Sequence, residues 1–212
     1  MLTGSTSRVE NSGYECLNNL WGDTTATSGQ QCTYVDGGTS SGVKFRSTWT
    51  WVGAPNNVKS YIYCGRQFPK GRLISSIPSM KTAVTWSYST LDLRANVAYD
   101  VFTAADANHA NSGGDYELMI WLARLGGIYP IGKSVGSVAL AGRSWDLWVG
   151  MNGQMQVYSF VAAEPVMTFS ADVKLFFNYL QTSYKYPAST QNLIGRSFSP
   201  LRAIRGLTPG GM

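Results

Sequence analysis

Residues 116–124 read Tyr-Glu-Leu-Met-Ile-Trp-Leu-Ala-Arg. On a β-strand successive side chains point to opposite faces. Tyr116, Leu118, Ile120 and Leu122 then form an apolar packing row, and Glu117, Met119, Trp121 and Ala123 project the other way. Holding an ionised carboxylate beside a thioether and an indole is costly unless the group is paired or used. An indole on the same face offers a flat surface to the C–H face of a pyranose ring, so this row can hold a sugar and present a carboxylate to it. The bland alternative is a glutamate at a strand end, solvated or salt-bridged.

A second run, residues 94–103, carries Asn96, Ala98, Asp100 and Phe102 on one face and Val97, Tyr99 and Val101 on the other. If the two strands are neighbours, Asp100 is placed to hydrogen-bond Glu117 and tune its acidity. The alternative is an aspartate at an edge or turn. No Cys/His cluster has metal-ligand spacing, and no metal or cofactor is expected. The single histidine, His109, lies in a turn-like Ala-Asn-His-Ala-Asn stretch and reads as a solvated loop residue. Cys16, Cys32 and Cys64 leave at least one thiol unpaired within a monomer, and spacing does not say which two, if any, are bonded.

The elements that must position these residues are strands. The 212-residue chain has 23 Gly, 12 Tyr and 7 Trp but only 14% charged residues, which suits a single large β domain. Strand-like runs cover residues 44–52, 57–63, 82–88, 94–103, 116–124, 144–149 and 155–161, with turn signals between them. Asn152-Gly153 is the strongest hairpin signal, as the centre of a type I′ turn. From Ser170, apolar residues recur at Val173, Phe176, Phe177 and Leu180. That spacing predicts one amphipathic helix, capped by Ser170 and packed on the outer face of a sheet. The net charge of +5 is scattered, so no phosphate-binding stripe and no nucleic-acid partner are expected. No apolar stretch is long enough for a membrane span, and residues 1–13 hold no apolar signal core.

Several ordered motifs resemble the family-12 glycoside hydrolases. They are Asn18-Asn19-Leu20-Trp21-Gly22, Asn57-Val58-Lys59-Ser60-Tyr61, residues 94–104, residues 115–124, Pro130-Ile131-Gly132, Val157-Tyr158-Ser159-Phe160 and the helical run 170–180. The similarity covers roughly residues 13–194. It implies an all-β fold, a two-sheet β-sandwich (concanavalin-like jelly roll) whose concave face is a cleft for β-1,4-glucan, and one outer helix. It implies a secreted, monomeric endo-glucanase acting on cellulose, mixed-linkage glucan or xyloglucan with retention. Glu117 takes the nucleophile's place and Asp100 that of its assisting aspartate. Asn19, Trp21, Met119, Trp121 and Pro130 match residues that bind the glucan.

The ends depart from that pattern. The family's acid/base glutamate follows the helix in a Phe-Gly-Thr-Glu-Pro-Phe-like strand, whereas residues 196–205 here contain no carboxylate. The glutamates are Glu10, Glu15, Glu117 and Glu164. Glu164 precedes a proline as the missing acid would, but before the helix. The family's cysteine partner for Cys32 is also absent near the N-terminus, with Cys16 the available substitute. Residues 1–12 and 195–212 are therefore atypical, as a gene-model error at either end would make them. A non-catalytic glucan-binding jelly roll is the alternative function.

Overall fold

The computed structural model describes residues 1–4, 8–110 and 113–194. The atypical tail 195–212 lies outside the described residues, as do residues 5–7. In chain order the strands are β1 (Arg8–Asn11), β2 (Tyr14–Leu17), β3 (Ser28–Thr39), β4 (Gly42–Val52), β5 (Tyr63–Arg66), β6 (Arg72–Leu73) and β7 (Lys81–Thr85). They continue with β8 (Ala95–Ala104), β9 (Tyr116–Leu125), β10 (Lys133–Leu140), β11 (Arg143–Asn152), β12 (Met155–Ala162) and β13 (Thr168–Asp172). Helix α1 (Lys174–Tyr184) and β14 (Asn192–Leu193) follow. The expected all-β sandwich with one helix is what forms.

The largest sheet has the order β10-β11-β12-β9-β8-β14-β6, and β9 runs near its centre. Its β9–β12 pairing is parallel and its β8–β9 pairing antiparallel. A three-stranded sheet β1-β2-β5 and two pairs, β13–β7 and β3–β4, complete the described strands.

Alternation builds the core. Val97, Tyr99 and Val101 of β8, Leu118, Ile120 and Leu122 of β9, and Tyr158 and Phe160 of β12 all bury on one face of the large sheet. Phe169 of β13, with Val84 of β7 and Trp49 of β4 half-buried beside it, covers that face from the other layer. The helix packs there too: Phe176 meets Phe160 and Trp145 edge-on at 5.0 and 5.4 Å. Val173, Phe176, Phe177 and Leu180 are the buried helical stripe that the periodicity predicts.

Four local expectations differ. Ser170 does not cap the helix; it lies in β13, paired with Ala83. The N-cap position is Val173, and the side chain that bonds the helix start is that of Asp172 just before it, whose Oδ1 accepts the backbone N–H of Lys174 at 2.9 Å and of Met80 at 2.7 Å. A carboxylate accepts both bonds better than a hydroxyl and also favours the positive end of the helix dipole. The β11–β12 turn is centred on Gly153-Gln154, because Asn152 pairs with Met155. Gly153 has φ 61° and Gln154 is not left-handed, the pattern of a type II′ turn. Residues 57–61 form loop rather than strand, and pairing resumes with a bridge at Ile62 and then β5 from Tyr63. Cys16 is bonded to Cys64, directly opposite it across β2 and β5, and Cys32 is the free thiol.

Candidate active site

Strand β9 lies between β8 and β12, and its residues 116–121 have a neighbour on both sides. Glu117 stands opposite Phe102 and Val157, Met119 opposite Asp100 and Ser159, and Trp121 opposite Ala98 and Val161. These rows face away from the main core. Ala98, Met119, Trp121 and Val161 form a small separate apolar cluster, joined by Ile128 and Trp148. The Trp121 indole N–H donates to the Met119 sulfur at 3.4 Å, which ties the two side chains together. Glu117 is 4% exposed and Asp100 7%.

A bulge ends this row. Val97 pairs with Ala123 but Ala98 with Trp121, so β9 carries one extra residue there. The alternation slips, which returns Ala123 to the main core and turns Arg124 outward. The expectation that Ala123 shares a face with Glu117 is corrected by that single residue.

The row opens into a cleft of about 380 Å³, lined by Glu117, Met119 and Trp121. One wall is the loop carrying Asn56, Asn57, Val58 and Tyr61. Lys59 holds it from beneath: this lysine is 1% exposed, and its Nζ donates to the Ala54 carbonyl at 2.8 Å and the Asn57 carbonyl at 3.0 Å. Asn19, at φ 45°, donates its side-chain amide to the Tyr61 carbonyl at 2.9 Å and accepts the Tyr61 N–H on its own carbonyl. It therefore lies behind the wall. Trp21 is 71% exposed and meets the Tyr61 ring edge-on at 5.8 Å, which puts a free indole face at the rim.

The opposite wall is the segment from Gly127 to Ile131, with Pro130 buried within it. Its end crosses β11 in backbone contact: a Cβ on Gly132, at φ 92°, would meet the Val149 carbonyl oxygen at 2.0 Å. Only glycine fits that approach. Tyr129 packs on Trp148 at 5.6 Å and takes the Arg124 guanidinium over its ring at 4.7 Å. Of the residues picked out in the sequence, Glu117, Met119, Trp121 and Pro130 meet in the cleft. Asp100 is the lateral neighbour of Met119, and Asn19 and Trp21 stand behind and beside one wall. Sequence reasoning did not single out Arg94 or Tyr129, although Arg94 extends the outward face of β8 and donates to Asn56 at 3.5 Å.

Residues 12–199 match glycosyl hydrolase family 12. The chain belongs to this family. It is 47% identical over 189 residues to an endoglucanase A of Aspergillus kawachii, covering 87% of this chain and 78% of that protein. It is 43% identical over 180 residues to the inactive glycoside hydrolase XLP1 of Phytophthora nicotianae, covering 83% and 74%. The catalytic domain of Humicola grisea Cel12A, solved with a soaked thio cellotetraose, superposes with a TM-score of 0.91 at 55% identity, covering 99% of this chain and 92% of that one.

Retaining glycosidases need two carboxyl groups roughly 5–5.5 Å apart, and the described carboxylates near Glu117 can be taken in turn. Asp100 is its diagonal neighbour across the β8–β9 pair, a Cα separation of about 7–8 Å that side chains can bridge. Asp115 precedes Glu117 by two residues but is exposed and bonded away from the cleft. The Gln191 amide at 3.0 Å and the Ala105 N–H at 2.7 Å lower its pKa and keep it ionised, the wrong state for a proton donor. Asp146 accepts from the Trp148 indole at 2.6 Å and from Ser134, two rows and two strands away. Glu164 lies seven residues beyond Val157, on the order of 20 Å along the strand, where the Val166 N–H binds the Leu122 carbonyl. Residues 173–212 contain no Asp or Glu.

Proposed function

We propose that the cleft binds a β-1,4-glucan chain and that Glu117 is the nucleophile, with Asp100 supporting its charge. In this reading Met119 and Trp121 form the floor under the reacting sugar. Trp21 stacks a further ring at the rim, Pro130 closes the opposite wall, and Asn19 acts by fixing Tyr61. The observation that carries the proposal is one carboxylate projecting with a thioether and an indole from a single strand into an open groove. Attack by Glu117 on the anomeric carbon would form a glycosyl ester and expel the leaving-group oxygen. That oxygen needs a proton when it belongs to another sugar, and general acid catalysis supplies typically 10²–10⁴-fold. No described carboxyl besides Asp100 stands within reach to give it.

Two activities are therefore expected to separate. Unactivated glucan is bound and turned over slowly, whereas an aryl glycoside with an acidic phenol departs without a proton. 2,4-Dinitrophenyl β-cellotrioside should release its phenol in a burst and leave a glycosyl-enzyme whose mass is that of the chain plus cellotriosyl. Absence of any burst, with glucan still bound, would instead support the second reading, a binding jelly roll. The lack of a proton donor beside Glu117 among the described residues, and the inactive relative, are what favour that alternative.

We read the chain as a monomeric single domain acting outside the cell. The Cys16–Cys64 disulfide fits an oxidising compartment. Among the described residues no helix is long and apolar enough to cross a membrane.

A further inference from the structure

Among the described residues two aromatic side chains are exposed, Trp21 at 71% and Tyr129 at 63%, and they stand at opposite rims of the cleft. Trp21 leans on Tyr61 of one wall, and Tyr129 sits in the 127–131 segment that forms the other. A single exposed tyrosine on a loop needs no explanation by itself. Tyr129, however, is held in place. Its ring packs on Trp148 at 5.6 Å and has the Arg124 guanidinium 4.7 Å from its centroid. Trp148 is fixed in turn: its indole N–H donates to Asp146 Oδ2 at 2.6 Å, and the Ser134 hydroxyl donates to the other oxygen. Three residues further on, the backbone is pinned where Gly132 crosses Val149 and Gly150. A ring ordered before binding loses little freedom when a ligand covers it.

This braced ring is not part of the floor. Trp148 stands opposite Ser159, and Ser159 opposite Met119, so the indole behind Tyr129 is two strands from the floor, roughly 10 Å to its side. Tyr129 therefore flanks a glucan chain resting on Met119 and Trp121 and does not support it from beneath. In a β-1,4-glucan successive glucose rings face opposite ways, so their 6-hydroxymethyl groups point alternately to the two sides. A sugar carried on one of those oxygens leaves the floor and meets a wall. An aromatic ring on that wall offers its face to the C–H face of the branch sugar, and its phenol edge stays in water.

We propose that Tyr129 is a specificity-determining residue whose ring, braced by Trp148 and Arg124, takes a branch sugar of a 6-substituted β-1,4-glucan. The branch is a single pyranose such as an α-1,6-xylosyl unit, which matches one aromatic ring in size. This rests on the reading of the cleft as a glucan site and adds which glucan it prefers, the branched chain over the bare one. Arg124 and Trp148 are positioning residues here: they fix the plane of the tyrosine and leave the main-chain contacts to Met119 and Trp121.

The test is calorimetry on the full chain carrying Glu117→Gln, which keeps the ligands intact. The ligands are cellotetraose, cellohexaose and the xyloglucan heptasaccharide, which has the cellotetraose backbone with α-1,6-xylosyl branches. The heptasaccharide should bind on the order of tenfold tighter than cellotetraose. Adding Tyr129→Ala should remove that ratio, leave cellotetraose affinity within about twofold and leave the thermal transition in place. Tyr129→Phe should keep the ratio, since the ring face is retained. Equal binding of the two tetraose-backbone ligands would overturn the proposal, as would a ratio that survives Tyr129→Ala. A loss on Tyr129→Ala that is the same for both ligands, or confined to cellohexaose, would make the ring a main-chain contact and overturn it too. Binding of none of the three ligands would instead overturn the glucan reading of the cleft, and this proposal with it.

Discussion

Replacing Lys59 by methionine tests how the cleft wall is held. The side chain is 1% exposed, so the methionine fills much the same space and the change is chemical. What is lost is a charged donor to the Ala54 and Asn57 carbonyls, at 2.8 and 3.0 Å. A hydrogen bond to a charged group contributes about 1.5–3 kcal/mol, which would give about 3–6 for two. Three residues of this loop, 55–57, are exposed, so their carbonyls can turn to water and recover part of that. Removing the cost of burying the ammonium offsets more. A net loss of about 2 kcal/mol of folding stability is expected, read by urea denaturation of wild type and variant under one set of conditions. Because Asn56, Asn57, Val58 and Tyr61 line the cleft, glucan affinity should fall with it, measured by calorimetry on soluble β-glucan. A variant within about 0.5 kcal/mol of wild type that binds glucan equally would refute the claim that this buried cation shapes the wall.

Other perturbations follow from the same features. Replacing both Cys16 and Cys64 by alanine opens a 48-residue loop and should cost about 4 kcal/mol in a denaturant melt, whereas Cys32→Ser should change little. Phe176→Ala removes a ring held between Phe160 and Trp145 and should cost about 3–5 kcal/mol. Trp21→Ala, at an exposed site, should leave the melting curve alone and weaken glucan binding by about tenfold, roughly 1.4 kcal/mol. Acid should loosen the helix start. Burial raises the Asp172 pKa, but the Met80 and Lys174 N–H bonds outweigh it and leave the folded value lowered. The stability Asp172 gives is therefore present above the unfolded value near 4 and lost as pH falls through the folded one. Melts of Asp172→Asn should accordingly show a shallower loss of stability below about pH 4 than wild type.

Much of the site was legible because β-strands advertise their faces. Glu117, Met119 and Trp121 share one side because the period is 2, and the apolar row opposite them names the core. The same rule failed at Ala123, where an extra residue in β9 shifts the phase; a bulge leaves no mark in side-chain type. The cleft walls were harder. Residues 57–63 read as a strand because they carry Val58, Tyr61, Ile62 and Tyr63, yet 57–61 form a loop held by Lys59 and Asn19 bonding to carbonyls, which sequence patterns do not reveal. Strand β10 was passed over because its residues are mostly exposed and small or charged, so burial contrast is lacking. The helix stripe was plain, but its capping side chain was placed two residues early, at a serine inside β13 rather than at Asp172. Pairing of Cys16 with Cys64 depends on β2 lying beside β5, a long-range register no spacing rule supplies.

The most direct measurement is mass spectrometry of the intact chain after mixing with 2,4-dinitrophenyl β-cellotrioside, followed by peptide mapping. One cellotriosyl adduct on the peptide containing Glu117, absent in Glu117→Gln, is the expected result. An adduct on another residue, or equal phenol release by Glu117→Gln, would contradict the assignment of Glu117 as the nucleophile.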